Sequence, residues 1–191
     1  MLTSTDALAE KACLKVGDVV LVSGRIGDHG MAIMAQRESL AFDSEIVSDS
    51  AALHDLVEAL YAAVPAEAVR VLRDPTRGGL ATTLNEIAAQ SGVGMELDEA
   101  AIPVSAQVQA ACELLGLDPL YVANEGKLVV LCAPEHAGAA LAALRAHPLG
   151  TEAARIGCAT ADPQHFVQLR TGLGGRRMVD WIAGEQLPRI C

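Results

Sequence analysis

Aromatic residues are scarce: two Phe, two Tyr and one Trp make up 3% of the 191 residues. So few rings leave no stacking platform for bases, and a formal net charge of −10 repels a polyanionic backbone, so no nucleic-acid partner is expected. Long apolar runs are missing too. The longest are about one strand in length, short of the ~20 residues that cross a bilayer, and no membrane partner is expected. The five cysteines, at 13, 112, 132, 158 and 191, include no Cys-x-x-Cys pair, and an odd count argues against a disulfide framework. The opening "MLTSTDALAEKACLKVGD" has neither the charged-then-apolar pattern of a signal peptide nor an Arg-rich transit pattern. A reducing, cytoplasmic location is the expectation. No Walker A loop is present, and the histidines show no metal-ligand spacing.

What is present fits one α/β (α+β) domain on a mixed β-sheet packed with helices. Hydrophobic residues make up 51% of the chain and charged ones 20%, enough to bury a sizeable core without staples. "DVVLVSG" (18–24) predicts a strand ended by glycine, and "GMAIMAQRESL" (30–40) a helix. Leu53, Leu56, Val57, Leu60 and Val64 share a helical face closed by Pro65, and "VRVL" (69–72) predicts a strand. The spacing predicts further helices over 80–92, 104–116 and 135–147, and strands over 93–99 and 127–133. "ARIGCAT", "HFVQLRT" and "RRMVDW" read as short strands at the strand-rich end.

Three polar stretches stand out. "SGRIGDHG" (23–30) sets three glycines at a strand-to-helix turn, which either lets backbone N–H groups meet an anion or is simply a tight turn. Within it, Asp28 and His29 offer a metal ligand or proton carrier. "RDPTRGG" (73–79) gathers Asp74, Thr76 and Arg77 before a helix start: Arg77 can hold phosphate while Asp74 orients it or caps the helix. "YVANEGKL" (121–128) places Asn124, Glu125 and Lys127 at the entrance to an apolar strand, where a carboxylate screened from water acts as a base, or a surface charge pair forms. Cys112, Cys132 and Cys158 sit in apolar runs, where cysteine packs as a small buried hydrophobe. Cys191 differs, because Pro188, Arg189 and Ile190 before it read as a presented peptide. Arg170, Arg176, Arg177 and Arg189 form a mild basic group near the end.

"GRIGDHGMAIMAQRESL", "VLRDPTRGGLATTLNEIA", "ACELLGLDPLYVANEGKL", "RAHPLG" and "PRIC" occur in one order, and as a set they resemble the HypE family of hydrogenase maturation factors. That family is one of carbamoyl dehydratases in the aminoimidazole ribonucleotide synthetase-like superfamily. The resemblance runs from about residue 16 to 191 and implies the C-terminal portion only. It implies ATP-dependent dehydration of an S-carbamoyl group on the terminal cysteine to a thiocyanate, with cyanide delivered to iron for [NiFe]-hydrogenases. ATP and Mg²⁺ are then expected mainly from an N-terminal domain that this chain lacks, and the isolated chain is expected to be inactive.

Carried over residue by residue, the resemblance makes Cys191 the carbamoylated thiol and Glu125 the group that orients or deprotonates the nitrogen. Asp28, His29, Asp74 and Arg77 become cleft residues on the cofactor side, with no metal ligand assigned. By their charge, Arg176, Arg177 and Arg189 either guide the tail toward phosphate or an acidic partner surface or, for the first two above all, form a solvated face. The implied organisation is an approach segment (1–15), a synthetase-like domain (16–183) and a flexible tail (184–191). The implied partners are the carbamoyltransferase HypF, the HypC–HypD iron scaffold complex and, in the complete protein, a second copy. Two alternatives stay open: an ATP-dependent small-molecule kinase or synthetase of the same superfamily, and a non-catalytic docking module for maturation partners.

Overall fold

The computed structural model describes residues 14–37 and 46–181; Cys13, Arg189 and Cys191, with the rest of the expected tail, lie outside them. Its strands are β1 (Val19–Val22), β2 (Val69–Arg73), β3 (Gly94–Asp98), β4 (Val129–Cys132), β5 (Ala154–Thr160), β6 (Val167–Arg170) and β7 (Arg176–Met178). Among the described residues the helices are α1 (Asp28–Arg37), α2 (His54–Ala63), α3 (Gly79–Ser91), α4 (Ala106–Leu115) and α5 (Ala137–Ala146). The strands form one seven-stranded sheet in the order β2-β4-β1-β5-β3-β6-β7. Neighbours run antiparallel except β3 and β6, which are parallel, so the expected mixed sheet is what forms.

The central strands show no polar alternation because both of their faces are covered. In β1, Val20 and Val22 join Leu80, Leu84 and Ile87 of α3 in one core, while Val19 and Leu21 join Leu56 and Leu60 of α2 and Leu144 of α5 in another. A continuous apolar run is what such a strand requires. β4 divides in the same way, Val129 and Leu131 to one side, Val130 and Cys132 to the other. A third cluster, with Met31 and Met34 of α1 against Val108 and Cys112 of α4, fixes α1 beside α4.

Beyond β1 the second face of the sheet carries polar residues. Glu96 stands across from Cys158 and Gln168, and Asp98 across from Arg170. Cys158 is therefore only half-buried, a departure from the buried position its apolar segment suggests, because its side of β5 looks onto this polar row. The helix expected over 30–40 starts earlier, at Asp28, which places Asp28 and His29 in its first turn.

Candidate functional site

One buried amide ties the three polar stretches together. Asn124 is fully buried; its Oδ1 accepts from Gly27 N at 2.7 Å, and its Nδ2 donates to Pro75 O at 3.0 Å and to Val122 O at 2.9 Å. Its backbone N–H also donates to Pro75 O, at 3.2 Å. A side-chain amide carries an acceptor and two donors, so Asn124 can bond the 23–30 turn and the 73–79 turn at once. Stretches far apart in sequence become neighbours through it.

The rest of the loop is held as well. Lys127 Nζ lies 2.6 Å from Asp49 Oδ2, with both side chains 10% exposed. The contact is an ion pair and not an aligned hydrogen bond, for neither Asp49 oxygen has a hydrogen-bond partner among the described residues. Gly126 sits so close to the Asp49 carbonyl that no side chain fits there, and its own carbonyl accepts from Lys127 Nζ at 3.3 Å. Leu128 N donates to Ser23 Oγ, and Ser23 N to Leu128 O, each at 2.9 Å. Glu125 stands half-buried between these anchors.

Lys127, Asp49 and Asp28 line an open cleft of about 480 Å³, with Arg25, Ser105 and Glu152 at its walls. Ser105 caps α4, its Oγ accepting from Val108 N at 3.2 Å, and the same hydroxyl donates to Asp28 Oδ1 at 3.3 Å. Arg25 Nε reaches Glu152 at 3.1 Å and Asp28 at 3.7 Å. Burial pushes the Asp28 carboxyl above its ordinary 3.8; Arg25 opposes this, Asp49 adds to it, and Ser105 and Lys127 pull it back. Among the described residues, no three His, Cys, Asp or Glu side chains gather as a metal would need.

The other candidates lie elsewhere. His29 Nδ1 shares a 2.9 Å hydrogen bond with Ser48 Oγ and does not line the cleft. Asp74 and Arg77 are exposed and also outside it. Asp74 does not cap α3, whose N-cap is Gly78 with no side-chain bond. Gly78 and Gly79 have φ of +73° and +62°, and a Cβ on Gly79 would lie 2.6 Å from the carbonyl oxygens of Leu120 and Val122. Gly79 therefore permits the close approach of 120–122, and Gly78 the left-handed turn before it.

In the 23–30 turn three of the backbone N–H groups are already bonded within the protein. Gly27 N is taken by Asn124, Gly30 N by Ala123 O at 3.0 Å and Ile26 N by Pro103 O at 2.9 Å. The described members of the basic group near the end are paired: Arg170 with Asp98 at 2.6 Å, Arg176 with Glu96 at 2.8 Å and Arg177 with Asp118 at 2.6 Å. Cys112 and Cys132 are buried, and burial pushes both thiols up to about 11. No helix among the described residues is long and apolar enough to cross a membrane.

Asp49, Ser48 and Ser105 are the site residues that sequence reasoning missed. "IVSDS" carries no glycine turn or motif spacing, so nothing local marks Asp49 as the partner of Lys127. Ser105 had a detectable signal, since a serine before an apolar helical pattern is an N-cap.

Residues 15–170 match the family model for AIR synthase related protein, C-terminal domain. The carbamoyl dehydratase HypE of Cupriavidus necator is 68% identical over 184 residues, covering 96% of this chain and 52% of that protein. A crystal structure of the hydrogenase maturation protein HypE in complex with ATP has a TM-score of 0.86 at 47% identity, covering 94% of this chain and 54% of that one. A crystal structure of a HypE–HypF complex has a TM-score of 0.85 at 45% identity, covering 91% of this chain and 55% of that one. The chain spans about half the length of the curated relatives it matches. The resemblance read from the ordered motifs is borne out: the chain belongs to the AIR synthase related family, as its C-terminal domain, and within it falls with the HypE hydrogenase maturation factors.

Proposed function

We propose that this chain is the part of an ATP-dependent carbamoyl dehydratase that carries the reacting thiol and the carboxylate that serves it. The observation that carries the reading is the match to HypE at 68% identity over 96% of the chain. Cys191 accepts a carbamoyl group on sulfur, and dehydration turns S–C(=O)–NH₂ into S–C≡N, with loss of the oxygen and both nitrogen protons as water. Glu125 orients the nitrogen or takes a proton from it. Asp28, Asp49 and Lys127 line the neighbouring cleft and supply its fixed charges. The proposed organisation has an approach segment over 1–15, a domain over 16–183 and a tail over 184–191 that bears Cys191.

ATP and Mg²⁺ enter the proposal as cofactors of the whole enzyme, held chiefly by the half that the longer relatives possess. Three N–H groups of the glycine turn, those of Ile26, Gly27 and Gly30, are already bonded within the protein, and no step is assigned to a phosphate bound by them. HypF is the proposed source of the carbamoyl group, as a HypE–HypF complex suggests for this family. A HypC–HypD iron scaffold is the proposed acceptor of cyanide, and a second copy the proposed partner in the complete enzyme.

The test is mass spectrometry of the C-terminal peptide after incubation with a HypF carbamoyltransferase, carbamoyl phosphate and Mg-ATP, with the N-terminal half of a HypE protein added in trans. The Cys191 peptide should gain a carbamoyl group and then lose one water. Without the added half, neither that loss nor phosphate release should occur. A Cys191 peptide that stays unmodified in the complete mixture, or ATP turnover by the chain alone, contradicts the proposal.

A further inference from the structure

The residues around Glu125 are tied down more thoroughly than a surface loop needs. Asn124 bonds two separate turns through its side chain and one of them again through its backbone. Gly126 rests on the Asp49 backbone, and Lys127 pairs with the Asp49 carboxylate while its stem packs where a Cβ on Gly24 would lie 3.0 Å from Lys127 Cε. Leu128 exchanges two bonds with Ser23. Among the described residues, Glu125 alone of 124–128 carries no such tie. Burying an amide and an ion pair has a desolvation penalty, and a loop that served only as a connection would be satisfied more simply with backbone bonds and water.

We infer that Asn124 and the Lys127–Asp49 pair are positioning residues, two posts that fix the backbone on either side of Glu125 and so aim its carboxylate. This rests on the reading of Glu125 given above. Asn124 acts as the rear post: it sets the distance from the loop to α1 and to the start of α3. The ion pair acts as the front post, clamping Gly126 against the segment that carries Asp49. A carboxylate on a mobile loop samples many orientations, whereas one held at both flanking residues keeps the near-attack geometry on which proton transfer depends.

The experiment uses ¹⁵N relaxation on the 191-residue chain. Asn124→Asp keeps the acceptor for Gly27 N but removes both donations, and the pair Asp49→Asn with Lys127→Gln removes the ion pair without leaving a lone charge. In the native chain the Glu125 amide should be as ordered as the α3 amides, with an order parameter of about 0.85, and in each variant it should fall below about 0.6 while α3 is unchanged. A Glu125 amide that stays rigid in both folded variants overturns the inference. So does one that is already mobile in the native chain. If Asn124→Asp does not fold, the charge-pair variant decides by the same criterion. The role of Glu125 is read separately, from turnover of Glu125→Gln, so the positioning claim and the reading beneath it fail independently. Turnover supplies the second readout: the positioning variants should lose about 10-fold or more in kcat with KM for ATP unchanged, since the proposal assigns ATP chiefly to the other half of the enzyme. A loss confined to KM contradicts the positioning role.

Discussion

Lys127 and Asp49 form a buried ion pair in the lining of the cleft, 2.6 Å apart with each side chain 10% exposed. The two charges justify each other. Removing one leaves the other desolvated and unpaired, which in comparable pairs destabilises by about 3–5 kcal/mol. Lys127→Met should show a loss of that order in urea unfolding, and the double variant with Asp49→Leu should recover most of it. A single variant within about 0.5 kcal/mol of the parent would mean that water already reaches the pair.

Asp28 gives a pH prediction with a definite sign. Its folded-state pKa lies above the ordinary 3.8 because of burial, so the folded chain holds that proton more tightly than the unfolded chain. Its stabilising contribution is full below the unfolded value and is lost as pH rises through the folded one. Asp28→Asn removes the penalty of a buried charge. The variant should melt higher than the parent at pH 7, with the gap closing as pH falls toward 3.8. A variant that melts lower at pH 7 and matches the parent in acid would show that the charged form is the favoured one.

Two glycines separate crowding from backbone strain. Gly116, which ends α4 with φ +67°, has nothing within 4 Å of an added Cβ, whereas a Cβ on Gly79 meets two carbonyl oxygens. Gly116→Ala should cost about 1 kcal/mol, from the left-handed conformation alone. Gly79→Ala should cost about 2–4 kcal/mol, since overpacking adds to that strain. Equal losses in chemical unfolding would refute the close approach of 120–122 to the start of α3.

Much of the fold was legible in the sequence, for reasons visible in single residues. Leu56 and Leu60 recur at helical spacing and are the buried residues of α2, while "VVLV" is unbroken because α3 covers one face of β1 and α2 with α5 the other. The site was legible in part. Asn124, Glu125 and Lys127 stood out as polar residues before an apolar strand, but their anchors did not, because Gly27, Pro75 and Asp49 are distant in sequence and a buried bond leaves no local pattern. The partners of the arginines were hidden for the same reason. Arg170, Arg176 and Arg177 look like a basic group along the chain, and only the folded sheet brings Asp98 opposite Arg170 and sets Glu96 within reach of Arg176.

The thiols should react in an order set by burial. With thiols raised to about 11, Cys112 and Cys132 hold only about a thousandth of their population as thiolate at pH 8, against about a quarter for an ordinary thiol, so maleimide should label them at least about 10²-fold more slowly. Cys158, half-buried on the open side of β5, should react ahead of both. Under the proposed function Cys191 reacts first. Peptide mapping of a short native labelling reaction checks the order, and early labelling of Cys112 or Cys132 would contradict the apolar clusters that enclose them.

The central claim is that Glu125 serves the dehydration of a carbamoyl group on Cys191. The most direct measurement compares the native chain with Glu125→Gln, each loaded by the carbamoyltransferase and then given Mg-ATP and the complementary half, with the state of the Cys191 peptide followed by mass over time. Loading should be equal in both. Loss of water should then slow about 10²–10⁴-fold in Glu125→Gln, the range for removal of a general base, so that carbamoylated Cys191 accumulates. Equal rates of water loss in the two proteins would contradict the account.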